Sequence, residues 1–268
     1  MKEYDKYLKL LKEKYPTKQS VYRELINLNA IMNLPKGTEH FMSDLHGEYD
    51  AFYHIINNCS GVIREKVAML YGDELTVYEQ QELCTLIYYP REKLSILMDE
   101  NKVNDEWYRN VLNQLIQIAK LLSSKYTRSK VRKAMPVDFA YIIDELIHAQ
   151  KDEDDNRSVY HRQIMETILS LHNGDEFLVA LTDLIKRLAV DHLHILGDIY
   201  DRGAHADKIL DLLMEHHSVD IQWGNHDILW MGAFCGNPVC MALVVRNNIK
   251  YKTMSILENG YGISLRFL

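Results

Sequence analysis

Three short polar motifs hold the residues that could do chemistry, and the first is Asp44-Leu45-His46. In an extended segment, residues two apart lie on the same side of the chain, so the carboxylate and the imidazole can converge on one cation. The apolar Leu45 would point away from them. Because D-x-H is common by chance, this motif by itself is only a weak indication of a metal site.

The second motif, GDIYDRG, runs from Gly197 to Gly203 directly after an apolar stretch. A carboxylate at Asp198 is costly to bury there unless it is paired or binds a metal. Arg202 keeps its charge at any working pH and offers a forked set of donors that suits phosphate. An Asp–Arg ion pair in a tight turn is the alternative interpretation.

The third motif is Gly224-Asn225-His226-Asp227. Asn225 can offer a carbonyl oxygen to a hard metal ion, and His226 can donate a proton near neutral pH. We expect Asp227 to belong to the start of a helix and not to bind a metal. Taken alone, the motif also fits a helix N-terminus followed by a packed histidine.

The elements that must position these motifs are strands. The hydrophobic pattern predicts strands that end just before the motifs, at residues 38–42, 191–196 and 219–223. Helices are predicted at residues 48–58 and 206–216. In open α/β sheets, ligand sites form at the carboxyl ends of the strands, so the three motifs should meet there. His192 and His194, which lie within the second strand, are interpreted as core or supporting residues.

The rest of the chain has the periodicity of helices. Residues 1–34 form an amphipathic N-terminal segment, and residues 62–190 are almost continuously helical apart from an acidic turn predicted at 151–156. No Gly/Ser-rich or Pro-rich linker divides the chain. We therefore expect one α/β (α+β) unit over residues 1–268 that contains a large helical insertion.

Composition excludes several classes of protein. The chain has 268 residues with 31 basic and 38 acidic side chains, a net charge of −7, which argues against nucleic-acid binding through overall positive charge. No run of about 18 apolar residues predicts a membrane span. The N-terminus does not resemble a secretory signal, and the four cysteines show no C-x-x-C pair. We expect a cytoplasmic protein with reduced thiols and no membrane partner.

Taken together and in this order, D-x-H, G-D-x-x-D-R-G and G-N-H-D resemble the calcineurin-like metallophosphoesterases. The interval from His46 to Asp198 is far longer than one crossover needs, and the helical block fills it. With that insertion, the strings FMSDLHGEYDAFYHIINN, HILGDIYDRG and IQWGNHDILWMGAFCGNP resemble the bacterial class 3 fructose-1,6-bisphosphatases. The similarity extends along the whole chain. Ala204 stands where the resemblance leads us to expect proline.

The resemblance implies the N-terminal half of a two-sheet sandwich and a dinuclear metal centre. Asp44 and His46 would hold the first metal, Asn225 would hold the second, and Asp198 would bridge the two. Carboxylate, amide and imidazole ligands suit manganese or magnesium better than a metal that prefers thiolates, and the resemblance points to Mn²⁺.

The resemblance also implies catalytic roles for three residues. His226 would be the general acid, Asp201 would hydrogen-bond its other ring nitrogen, and Arg202 would bind the phosphoryl oxygens. The reaction would be hydrolysis of fructose 1,6-bisphosphate to fructose 6-phosphate and phosphate without a covalent phosphoenzyme. This reaction belongs to gluconeogenesis in carbohydrate metabolism. The expected partner is a sugar bisphosphate, and a homo-oligomer is compatible with the sequence.

No histidine follows His226, although members of the superfamily take further metal ligands from later motifs. On this ground we expect an N-terminal fragment of a longer enzyme, with only Asp198 and Asn225 on the second metal. Two alternatives stay open. One is a protein or dinucleotide phosphatase of the same superfamily, and the other is a non-catalytic truncated chain that binds a partner or folds only within an oligomer.

Overall fold

A computed structural model describes residues 2–149 and 155–264, so residues 151–154 of the predicted acidic turn lie outside it. The described chain is mainly helical and contains a three-stranded sheet in the order β1-β2-β3. The strands are β1 (Glu39–Met42), β2 (His192–Leu196) and β3 (Val219–Gln222). Both pairs of neighbouring strands are parallel, and this arrangement confirms the predicted mixed α/β class.

The helices have the following bounds: α1 Lys2–Lys14, α2 Lys18–Met32, α3 Tyr49–Asn58, α4 Val62–Tyr71, α5 Val77–Tyr88, α6 Pro90–Asp99, α7 Asp105–Ser123, α8 Arg128–Ala134, α9 Ala140–His148, α10 Asp155–Ser170, α11 Gly174–Ala189, α12 Ala206–Glu215, α13 Asn225–Phe234 and α14 Pro238–Tyr251. Short 3₁₀ turns occupy Cys59–Gly61 and Val137–Phe139, and a π turn occupies Ile256–Gly260. None of the described helices is both long and apolar enough to cross a membrane.

The predicted N-terminal helical segment consists of the two helices α1 and α2. The segment is interrupted before Thr17, whose side chain caps α2 by accepting a hydrogen bond from the Ser20 backbone N–H at 3.1 Å. None of the residues of α2 is buried, and Leu25 and Ile26 on this helix are exposed. These two helices therefore do not contribute to the cores described below.

Helices α4 to α11 occupy most of residues 62–190 and have a hydrophobic core of their own; that this block is an insertion stays a prediction. At its centre, α7 packs against α11. Leu112, Leu115 and Leu122 of α7 are fully buried, and their spacing of three and seven residues places them on one face of the helix. Phe177 and Leu181 of α11 are fully buried against the same core.

A second core lies between the sheet and helices α3 and α12. Leu193 and Ile195 of β2 face this core and are completely buried, together with Phe52 of α3 and Ile209 of α12. Because side chains alternate along a strand, the residues between them face the other side of the sheet. That side is open, and Phe41 there is 61% exposed. The second sheet of the expected sandwich stays a prediction.

Candidate active site

The three polar motifs follow the carboxyl ends of β1, β2 and β3, and backbone hydrogen bonds hold the first two together. The N–H of Asp44 donates to the carbonyl of Gly197 at 3.2 Å, and the N–H of His46 donates to the carbonyl of Asp198 at 2.8 Å. The N–H of Gly203 donates back to the carbonyl of His46 at 2.6 Å. The loops after β1 and β2 therefore form one bonded unit.

The backbone of these loops is unusual, because five non-glycine residues adopt left-handed conformations. They are Asp44, His46, Asp198, Asp201 and Arg202, with φ between 46° and 74°. Such conformations cost on the order of 1–3 kcal/mol for most residues and concentrate at functional sites. All five were singled out from their sequence motifs, so backbone strain and candidate chemistry coincide.

Two glycines allow the loops to approach each other closely. Gly47 has φ of +67°, and a Cβ there would lie 2.5 Å from the carbonyl oxygen of Gly203. Gly197 has φ of +90°, and a Cβ there would lie 2.5 Å from the backbone nitrogen of Gly224. Any side chain at either position would push the motifs apart.

Asp44, His46 and Asp198 come together as a group that could hold a metal ion, each offering one ligand atom within 4.8 Å of the others. His46 is buried, and its Nδ1 lies 3.1 Å from the carbonyl oxygen of Tyr200. Since a carbonyl only accepts hydrogen bonds, Nδ1 carries a proton, and in the neutral tautomer Nε2 is the nitrogen with the lone pair.

The free nitrogen of His46 is the observation that fits a metal ion. Nε2 is shielded from solvent, has no hydrogen-bond partner and lies 3.6 Å from Oδ1 of Asp44. A buried polar atom without a partner is costly in an ordinary structural role. One imidazole nitrogen and two carboxylates form a donor set that a divalent cation such as Mn²⁺ accepts.

Asn225, the predicted ligand of the second metal, is the first residue of α13 and is exposed. The backbone N–H of its neighbour His226 donates to Oδ1 of Asp198 at 3.2 Å. This contact places the start of α13 directly against the carboxylate predicted to bridge the metals. The role of Asn225 as a ligand stays a prediction.

Asp201 and His226 are in direct contact. Oδ2 of Asp201 lies 2.6 Å from Nδ1 of His226, and the carboxylate is only 1% exposed. The His226 ring also meets the ring of His46 edge-on, with centroids 5.4 Å apart, so it stands beside the candidate metal ligands. Arg202 is exposed next to Asp201. All the predicted site residues therefore lie at one edge of the sheet.

Two residues that the motifs did not identify complete the surroundings of Asp201. Nε1 of Trp230 donates to Oδ1 at 3.2 Å, and Nδ2 of Asn247 donates to Oδ2 at 2.8 Å. Trp230 follows His226 by four residues, so helical spacing alone could have placed it on the same face of α13. Asn247 comes from α14, and no local signal in the sequence connects it with Asp201.

Asp227 is buried and connects the second and third motifs. Its Oδ1 accepts hydrogen bonds from the backbone N–H groups of Ile199 and Tyr200 at 2.9 and 3.2 Å. Its Oδ2 accepts one from the N–H of Gly224 at 2.8 Å, at the start of α13. Asp227 thus lies in the first turn of a helix, as expected, and it also fixes the loop that follows β2.

An aromatic group supports this side of the site. The Tyr200 ring stacks on Trp230 with centroids 4.3 Å apart, and its hydroxyl lies 2.7 Å from that of Tyr261. Burial raises the pKa of Tyr200 well above its ordinary value, and the hydrogen bond with Tyr261 raises it further. Tyr200 therefore stays neutral, and it stacks on the tryptophan that donates to Asp201.

Comparison with known proteins gives a consistent result. The family model described as Firmicute fructose-1,6-bisphosphatase matches residues 6–268. The chain is 54% identical over 99% of its length to fructose-1,6-bisphosphatase class 3 1 of Clostridium beijerinckii, and 55% identical over 97% to fructose-1,6-bisphosphatase class 3 of Listeria monocytogenes. It covers 41% and 40% of these relatives, so it spans about two fifths of their length. No solved structure matches significantly.

Proposed function

The chain belongs to the family of Firmicute fructose-1,6-bisphosphatases, and from this membership we propose that it hydrolyses the 1-phosphate of fructose 1,6-bisphosphate at the candidate active site. The observation that carries the proposal is the group of Asp44, His46 and Asp198, with the unpartnered nitrogen of His46, beside the His226–Asp201 pair. We assign the reaction to gluconeogenesis in the cytoplasm. The assembly of the chain into a homo-oligomer stays a prediction.

Asp44, His46 and Asp198 would hold the first metal, and Asp198 and Asn225 would bind the second. We propose Mn²⁺ for both positions, with Mg²⁺ as the alternative, because oxygen ligands predominate. When bound, the ions would supply positive charge that neutralises the phosphoryl oxygens.

The protein groups around the metal positions have separate tasks. Arg202, exposed and always charged, would bind phosphoryl oxygens through its forked donors. Asp201 holds a proton on Nδ1 of His226, so the proton that His226 transfers comes from Nε2. Water attacks phosphorus and releases one proton to solvent, the bond to the sugar oxygen breaks, and that oxygen takes the Nε2 proton. Solvent then protonates His226 again.

The test is phosphate release from fructose 1,6-bisphosphate by this chain with added Mn²⁺. Asp198→Asn should abolish release, and Asp211→Asn, which changes an exposed carboxylate of α12, should not. A phosphopeptide and a diadenosine polyphosphate, tested in parallel, should be poor substrates; a preference for either would favour the alternative phosphatases. Absence of release from a folded chain would mean that this polypeptide is not by itself the hydrolase.

A further inference from the structure

The open face of the sheet carries a second group of metal-binding side chains, apart from the candidate active site. We propose that His192, His194 and Asp220 form a binding site for a zinc-class divalent cation. His192 and His194 alternate along β2, so both point to the open face. Asp220 of β3 is paired directly with His194 in the parallel register. The strand pairing therefore brings all three side chains together.

The separations between the ligand atoms suit a tetrahedral ion. Nε2 of His192 lies 2.8 Å from Oδ2 of Asp220, and Nδ1 of His194 lies 3.5 Å from the same oxygen. Each of the three residues offers a ligand atom within 4.8 Å of the others. Zinc bonds of about 2.0–2.1 Å in a tetrahedron place neighbouring ligand atoms about 3.3 Å apart. The observed separations lie on either side of that value.

A metal-binding histidine donates a hydrogen bond from its other ring nitrogen, and His192 has this arrangement. Nδ1 of His192 lies 2.6 Å from Oγ of Ser218, which can accept a hydrogen bond from a protonated Nδ1 and so leave Nε2 free to bind an ion. Nε2 of His194 is shielded from solvent, has no hydrogen-bond partner and lies 3.7 Å from Oε2 of Glu39. Binding through Nδ1 would put the His194 proton on the side that faces this carboxylate.

The His194 ring is also held in orientation by packing. Phe41, its partner in β1, stacks on it with centroids 4.4 Å apart and an angle of 13° between the ring planes. A ring fixed in this way loses little freedom when it binds an ion, which favours binding.

The choice of metal follows from the ligands. This group has two imidazoles and one carboxylate, whereas the candidate active site has one imidazole and two carboxylates. Imidazole suits Zn²⁺, Ni²⁺ and Cu²⁺, and additional carboxylates shift preference toward Mn²⁺ and Mg²⁺. The two sites should therefore prefer different metal ions. The side chain of Asp220 is 72% exposed, so an ion has access from solvent.

The experiment is zinc titration of the metal-free chain in competition with a chromophoric chelator. His194→Gln and Asp220→Ala should each weaken one class of zinc site by about 100-fold, and Ser218→Ala should weaken the same class by about 10-fold. Asp44→Asn, which alters the candidate active site, should leave that class unchanged. Cobalt(II) added to the chain should give the visible absorption of a tetrahedral ion, and His194→Gln should remove it.

The matched control is His148→Gln. His148 is half-buried, like His194. Its Nδ1 lies 3.2 Å from Oδ1 of Asp144, and Nδ1 of His194 lies 3.5 Å from Oδ2 of Asp220, so the substitution removes a similar contact between a histidine and a carboxylate. It should not change zinc binding. The proposal is overturned if zinc binding is unaffected by His194→Gln and Asp220→Ala, or is lost only with Asp44→Asn. Phosphate release by Asp220→Ala should equal that of the unaltered chain, so this result is independent of the proposed hydrolysis.

Discussion

Replacing Asp227 by alanine should open the junction between the loop after β2 and the start of α13. Its carboxylate is 5% exposed and accepts three backbone hydrogen bonds, from Ile199, Tyr200 and Gly224. A buried donor left without a partner costs about 1–3 kcal/mol, so three donors set a range of about 3–9 kcal/mol. Because the loop can open and admit water to them, we expect the lower part of this range, about 3–5 kcal/mol.

Hydrogen exchange measured by mass spectrometry is the suitable assay, because it reports this region separately from the helical insertion. A local loss of 3 kcal/mol or more corresponds to exchange at least about 100-fold faster in peptides covering residues 197–203 and 222–228. Peptides from α7 should be unchanged, since the insertion has its own core. Asp227→Asn keeps one acceptor oxygen and should cost about 1.5–3 kcal/mol.

Asp105→Ala is the matched control, because Asp105 is also an acidic residue in the first turn of a helix but is exposed. It should cost no more than about 0.3–1 kcal/mol through the helix dipole. If the backbone amides of residues 197–203 and 222–228 exchange no faster in Asp227→Ala than in Asp105→Ala, the three hydrogen bonds do not hold the junction.

Three further results are expected. Asp201→Asn removes the charge that strengthens the hydrogen bond to His226, and such a bond is worth about 1.5–3 kcal/mol. The rate of phosphate release should therefore fall roughly 10- to 150-fold, while the affinity for Mn²⁺ is unchanged. An unaltered rate of phosphate release would contradict the role of Asp201. Burial, reinforced by a neighbouring histidine, lowers the pKa of His216 to about 4, so its contribution to stability is complete above pH 6.5 and is lost as the pH falls toward 4. After allowance for the partial exposure of His216, this loss of stability is about 2 kcal/mol. Between pH 7 and pH 4.5 the melting temperature should therefore drop less for His216→Asn than for the unaltered chain. Equal drops in melting temperature would refute this role of His216. Burial also raises the pKa of the Cys59 thiol to about 12, so iodoacetamide at pH 8 should label exposed Cys235 in the folded chain and Cys59 only after unfolding. Peptide mapping identifies which cysteine is labelled, and labelling of Cys59 and Cys235 at the same rate in the folded chain would contradict this prediction.

The local elements could be read from the amino-acid sequence to within one or two residues. The strand predicted at residues 219–223 is Val219–Gln222, and the helix predicted at 206–216 is Ala206–Glu215. Periodicity suffices here because helix and strand are set by hydrogen bonds and burial patterns that repeat every few residues. The types and the order of the motif residues could also be read directly from the sequence, and they indicated which family the chain resembles.

The contacts across elements were decided only by the tertiary structure. Asn247 reaches Asp201 because α14 packs against α13, and His194 meets Asp220 because β2 and β3 pair in one particular register. A shift of that register by one residue would turn Asp220 to the opposite face. The unpartnered nitrogen of His46 likewise became visible only with the fold, because its ring partner is a backbone carbonyl on another strand end. Residue types determine which chemistry is available, and packing determines which atoms meet.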